Sequence, residues 1–110
     1  MLRVSAFALA FIAIAVPALA VEPSMQMNGA SFADACTRAD ESWISFCNGY
    51  IQAAVDSLDA PGSICIPPGT TRADLVTLIE RVISSTPELQ NMNAFRAVHI
   101  VLGGSYRCGT

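Results

Sequence analysis

Apolar residues between positions 43 and 58 recur at helical spacing. Trp43, Cys47, Tyr50, Ala54 and Leu58 form one stripe, flanked by Ile44, Ile51 and Val55. A stripe that wide predicts a helix of about four turns, about 24 Å long, with one face in a core. Asp40-Glu41-Ser42 precedes it, offering an N-cap and negative charge at the positive end of the helix dipole. Asp59-Ala60-Pro61-Gly62 stops it. Gly49 lies inside the pattern and costs up to about 1 kcal/mol relative to Ala; a close helix–helix approach would account for it.

Two further helices follow the same logic. Leu75, Leu78, Ile79, Val82 and Ile83 fall at i, i+3, i+4, i+7 and i+8 after Thr71-Arg72-Ala73-Asp74, a capping-box sequence. Ser84-Ser85-Thr86-Pro87 ends that helix, and Glu88 to Met92 reads as a polar loop. The last helix starts near Asn93, buries Phe95, Val98, Val101 and Leu102, and closes at Gly103-Gly104. Upstream, Ser31-Phe32-Ala33-Asp34 fits a capping box with Ser31 as N-cap. It opens a short helix carrying Phe32, Ala35 and Cys36 and ending near Ala39. Cys65-Ile66-Pro67-Pro68-Gly69 is an extended, stiff connection. No alternating strand pattern, repeat or low-complexity segment competes. The expected fold is an all-α, disulfide-stapled helical bundle with one short and three longer helices, spanning residues 31–110 as one domain.

Residues 1–20 have a different character. Arg3 precedes an apolar run from Val4 to Val16, then Pro17 and Ala18-Leu19-Ala20. A charged start, a short apolar stretch and a small-x-small end are the parts of a secretory signal peptide. The run is shorter than the roughly 20 apolar residues that span a bilayer. Cleavage is expected after Ala20, leaving a flexible lead over 21–30 and an exported chain, destined for the periplasm, with no membrane insertion after processing.

Export changes how the four cysteines are read. Cys36, Cys47, Cys65 and Cys108 are an even set in a small exported chain, which points to two disulfides. Structural zinc sites bring ligands in close pairs, two to four residues apart, and this sequence has none. Short connections favour antiparallel helix neighbours. That topology leaves Cys36 and Cys47 at one end of the bundle and brings Cys65 and Cys108 together at the other. Cys36–Cys47 and Cys65–Cys108 are therefore the preferred pairs among the three connectivities.

Charge narrows the partners. Six Arg, no Lys and nine Asp and Glu give −3 over 110 residues, and loss of the leader with Arg3 makes this about −4. No basic cluster exists for nucleic acid, and mild acidity favours a neutral or basic partner. Candidate chemistry is sparse. His99 is the single histidine, set mid-helix with no serine or free thiol placed beside it by the sequence, and reads as a packed or surface residue. Asp56 and Asp59 read as a solvated helix edge. Trp43 and Tyr50 read as core anchors. No phosphate loop, nucleophile elbow or metal motif occurs. The sequence therefore predicts no enzyme, no cofactor and no metal.

One combination of motifs is specific. Phe46-Cys47-Asn48-Gly49-Tyr50-Ile51, then Asp56, Cys65-Ile66-Pro67-Pro68-Gly69-Thr70, Leu75, Pro87 and Tyr106-Arg107-Cys108 together resemble the Rap/Tai-type immunity proteins associated with type VI secretion amidase effectors. The resemblance covers Phe32 to Cys108 and takes in all four cysteines. It departs at Arg107-Cys108, where the family has Pro-Cys, and at Ala53 or Ala54, where the family has Gly. It implies a helical bundle that binds a peptidoglycan amidase in the periplasm and occludes its active site. Occlusion requires a protruding element. The polar segment Ser84 to Met92, with Ser85, Glu88, Gln90 and Asn91, is the candidate partner-binding loop. A homodimer would follow if so few helices left an apolar face uncovered. The alternative reading is a periplasmic chaperone-like or orphan protein-binding module without a toxin partner, similar in size and helicity to acid-stress chaperones.

Overall fold

The computed structural model describes residues 8–14 and 26–109. Most of the expected leader and lead, including the cleavage site after Ala20, lies outside the described residues. Residues 8–14 belong to no helix or strand, and Leu9, Phe11 and Ile12 are exposed. The remainder is all-α, with five helices in the order α1 (Gly29–Cys36), α2 (Glu41–Asp59), α3 (Arg72–Ser84), α4 (Pro87–Asn91) and α5 (Ala94–Ser105). No strand forms among the described residues, which hold two isolated bridges, Asn28 with Asn93 and Ile64 with Arg107.

Helix α1 touches each of the other four helices, as the longer α3 and α5 also do. Eight residues are too few for a stable helix in water, so its stability must come from packing. Gly29, Phe32, Ala33 and Ala35 are buried on it. Its start differs from the capping box expected at Ser31. Asn28 is the N-cap, and its Oδ1 accepts from the Ser31 backbone N–H and hydroxyl, each at 2.8 Å. The reason is tertiary. The Gly29 N–H donates to Met92 C=O at 3.0 Å, and the Ala94 N–H donates to Met27 C=O at 2.8 Å. This bridge fixes the chain at Asn28 and starts the helix three residues early. Asp34, no longer a cap, pairs with Arg38 at 3.2 Å. The helix ends at Cys36 with Thr37 as C-cap, short of Ala39.

The same Met-Asn sequence opens α5. Asn93 is its N-cap and accepts from the Arg96 N–H at 3.2 Å. Two asparagine-capped helix starts thus face each other across one antiparallel bridge. Gly29 is required there. A Cβ on it would overlap the Leu89 carbonyl oxygen, so only a bare Cα lets α1 reach the α4 backbone.

The long helices follow the sequence with local corrections. Thr71 and Asp74 form the expected capping box: the Thr71 hydroxyl accepts from the Asp74 N–H at 3.1 Å, and the Asp74 carboxylate from the Thr71 N–H at 2.9 Å. Those bonds hold the exposed Asp74 carboxyl below its ordinary pKa. Asp40 takes the N-cap position of α2 without a side-chain cap bond. On α2, Cys47, Ile51 and Ala54 are buried, whereas Trp43 and Tyr50 are half-buried and Ile44 is exposed. Gly49 does not serve a close approach, since a Cβ there meets nothing within 4 Å. On α5 the buried residues are Ala94, Ala97, Val98, Val101 and Leu102, while Phe95 is exposed. Small side chains win the inward positions where α5 runs against α1, and the phenyl ring is turned out. Gly103 and Gly104 lie within α5, which runs on to Ser105 with Tyr106 as C-cap.

Two disulfides lock the bundle, Cys36–Cys47 with Cα atoms 5.7 Å apart and Cys65–Cys108 with Cα atoms 4.9 Å apart. The second is reinforced by the Ile64–Arg107 bridge and by the Cys65 N–H donating to Tyr106 C=O at 2.7 Å.

Three outcomes follow from these ties. Gly29→Ala is expected to lower stability by about 1–3 kcal/mol, the usual cost of forcing extra volume into a packed site, read as a fall in the urea midpoint at constant m-value. Replacing Cys65 and Cys108 together by Ser is expected to cost about 4 kcal/mol, from chain entropy for the 43-residue loop. The Cys36/Cys47 pair, closing an 11-residue loop, should cost about 3 kcal/mol in the same model.

Candidate partner-binding site

The segment expected to carry recognition is a helical turn. After Ser84 the chain turns at Thr86, in extended conformation, and Pro87 occupies the first turn of α4. Proline suits that position because the missing N–H would be unsatisfied anyway. Leu89 is buried beneath the turn. The reading of Glu88 to Met92 as a loop is thereby corrected: the proline that ends α3 also starts α4.

Most polar groups of this turn are engaged within it. Ser85 is the C-cap of α3, and its hydroxyl donates to Arg81 C=O at 3.0 Å and Val82 C=O at 3.1 Å. The Gln90 amide folds back onto the end of α3, donating to Ile83 C=O at 3.1 Å and Ser84 C=O at 3.0 Å. It satisfies carbonyls that a helix end leaves orphaned. Asn91 donates to Pro87 C=O at 3.1 Å. Ser85 and Gln90 therefore shape the turn. Glu88 is exposed and makes no side-chain bond to the described residues, and Asn91 is exposed with its Oδ1 open. What the turn presents is a pair of acceptors, suited to donors on a partner.

A second surface runs along α2 and α5, where five rings touch in succession. Trp43 meets Phe46 at 5.6 Å between centroids, Phe46 meets Tyr50 at 5.7 Å, Tyr50 meets Phe95 at 6.0 Å, and Phe95 meets His99 at 4.0 Å. The Arg38 guanidinium sits 5.0 Å above the Trp43 ring, a cation–π contact. Tyr50 links this surface to the core through Phe32, at 4.7 Å, and burial raises its phenol above the ordinary pKa. Trp43 is thus the end of a surface row of rings rather than a core anchor.

His99 closes the row and has a partner that sequence alone did not place. Its Nε2 lies 2.7 Å from the Ser57 hydroxyl, and its Nδ1 lies 2.7 Å from Phe95 C=O. A carbonyl can only accept, so Nδ1 carries the proton in the neutral ring and Nε2 accepts from Ser57. A serine hydroxyl on a histidine is part of a nucleophilic site, but such a site also needs free donors for a developing oxyanion. Ser57 sits inside α2, where the backbone N–H groups are already spent on the helix. The contact ties α2 to α5. Asp56 accepts from the Gln52 amide at 2.9 Å and takes no part in it.

Among the described residues, no group of three or more His, Cys, Asp or Glu is placed to hold a metal ion. No helix there is long and apolar enough to cross a membrane. A model of the Rap1a immunity proteins matches residues 28–108. No curated protein and no solved structure matches the chain.

The Ser57–His99 tie yields a direct check. Long-range proton–nitrogen correlation on the neutral ring is expected to show Nδ1 protonated and Nε2 bare. Ser57→Ala is expected to leave Nδ1 on the Phe95 carbonyl and to lower stability by about 0.5–1.5 kcal/mol, one net hydrogen bond.

Proposed function

Because the chain belongs to the Rap1a immunity protein family, through a match that covers residues 28–108, we propose that it is exported to the periplasm and there binds and inhibits a peptidoglycan amidase effector of type VI secretion. The observation that carries this reading is the extent of the match. It begins at the Asn28 cap, ends at Cys108, and so takes in all five helices and both disulfides. Physical features on each side of it agree. The N-terminal charge, apolar run and Ala18-Leu19-Ala20 have the form of a signal peptide, and disulfides belong to an oxidising compartment.

In this reading the protein acts by binding and performs no catalysis. Its partner meets a preformed surface, because the two bridges and two disulfides hold the helix ends in place. Preorganisation lowers the ordering cost of association. The α4 turn supplies the element that enters the amidase cleft, with Glu88 and Asn91 accepting from donors there, while Ser85 and Gln90 keep the turn in shape. The acidic balance of the chain, −3 overall, suits a neutral or basic target.

Titration calorimetry with the oxidised protein and an exported amidase encoded beside it tests the assignment. Stoichiometric binding is expected, and Glu88→Arg is expected to weaken it at least tenfold with helicity unchanged. Affinity unaffected by Glu88→Arg would remove the turn from the interface. Absence of binding to such amidases, with both disulfides intact, would contradict the amidase reading itself.

A further inference from the structure

A groove of about 550 Å³ runs between α2 and α3, floored by the Cys36–Cys47 disulfide. Ile44 on α2 and Val76 on α3 give it apolar walls. Ile44 is 48% exposed, an aliphatic side chain left half in water on a concave surface, where covering it is favourable. Three of the polar residues that line it stand apart. Glu80 and Asn48 are half-buried, Thr77 is exposed, and none of the three makes a side-chain hydrogen bond or ion pair with the described residues. A half-buried carboxylate with no ion-pair partner among the described residues is an open acceptor for a cation.

The neighbouring cations are otherwise engaged. Arg38 is held by Asp34 and the Trp43 ring. Arg72 lines the far end of the same groove, eight residues before Glu80 and about 12 Å along the helix axis, and donates to Gln52 at 2.8 Å. Among the described residues the ion pair formed is Arg38–Asp34, and no cation is paired with Glu80.

The geometry points to this groove as a docking site for an arginine side chain presented by a bound protein. The aliphatic stem lies along Ile44, Val76 and the disulfide. The guanidinium meets the Glu80 carboxylate, with the Asn48 amide oxygen and the Thr77 hydroxyl as further acceptors. Arginine fits better than lysine: its planar head carries five donors, pairs with a carboxylate in two bonds and is less strongly hydrated than an ammonium. An arginine seated centrally in a desolvated pocket is also a common hot spot of protein interfaces. The identity of the bearer as a secreted effector rests on the proposed function; recognition of the side chain does not.

Backbone NMR of the oxidised protein titrated with N-acetyl-leucyl-arginine amide tests the site, with the citrulline peptide, isosteric and uncharged, as control. Saturable shifts are expected at Ile44, Asn48, Thr77 and Glu80, at least tenfold weaker with citrulline. Glu80→Gln, with unchanged circular dichroism, should abolish that preference. Equal binding of the two peptides would mean that the groove takes apolar groups alone, and would overturn the proposal. Shifts that do not saturate, or that map to α4 or to the row of rings, would overturn it too. An effector complex unaffected by Glu80→Gln would remove the groove from that interface while leaving the immunity reading intact. Arginine-selective binding without any effector complex would do the reverse.

Discussion

The arrangement of this protein depends on holding an eight-residue helix, α1, against four others. Alone it would not form. It is fixed at its start by the Asn28–Asn93 bridge and the close approach of Gly29 to the α4 backbone, and at its end by the Cys36–Cys47 disulfide. Phe32, 1% exposed, sits at its centre and carries the contact outward to Tyr50 and the row of rings. The ties at its start reach residues 60 or more positions away in sequence, whereas the disulfide at its end joins consecutive helices across 11 residues.

That constraint also fixes the helix ends that border the candidate surfaces. The described helices make a small core, of the size for which covalent staples contribute a large share of net stability. The ties also lie close to the surfaces that a partner would meet. The first disulfide floors the α2–α3 groove, and Gln90 closes α3 beside the α4 turn. Backbone held in this way loses little freedom when a partner binds.

How much of this could be read from sequence divides by the range of the interaction. The periodicities of Leu75 to Ile83 and of Cys47 to Leu58 report a local period, and both helices form where the pattern puts them. The Thr71–Asp74 box is likewise local and intact. The errors lie where a distant contact overrode a local signal. Ser31 lost the N-cap to Asn28 because a bridge to Asn93 set the start of α1. Met27-Asn28 and Met92-Asn93 were a signal for that bridge, two like caps 65 residues apart in sequence. Pro87 was legible as the end of α3 but not as the start of α4, since both use the same residue. Phe95 outranks Ala94 and Ala97 in hydrophobicity, yet space beside α1 favours the alanines. The Ser57–His99 bond and the placing of Ile44 and Val76 in one groove depend on the register between helices, which periodicity within one helix does not contain.

The central claim, that α1 is locked into the bundle rather than docked on it, is tested most directly by native-state hydrogen exchange on the oxidised protein. Amides of Phe32 to Cys36 should exchange through global unfolding alone, with the same opening free energy and denaturant dependence as Ile79 in α3 and Val98 in α5. Exchange of α1 through a separate opening of lower free energy, while α3 and α5 stay protected, would contradict the account.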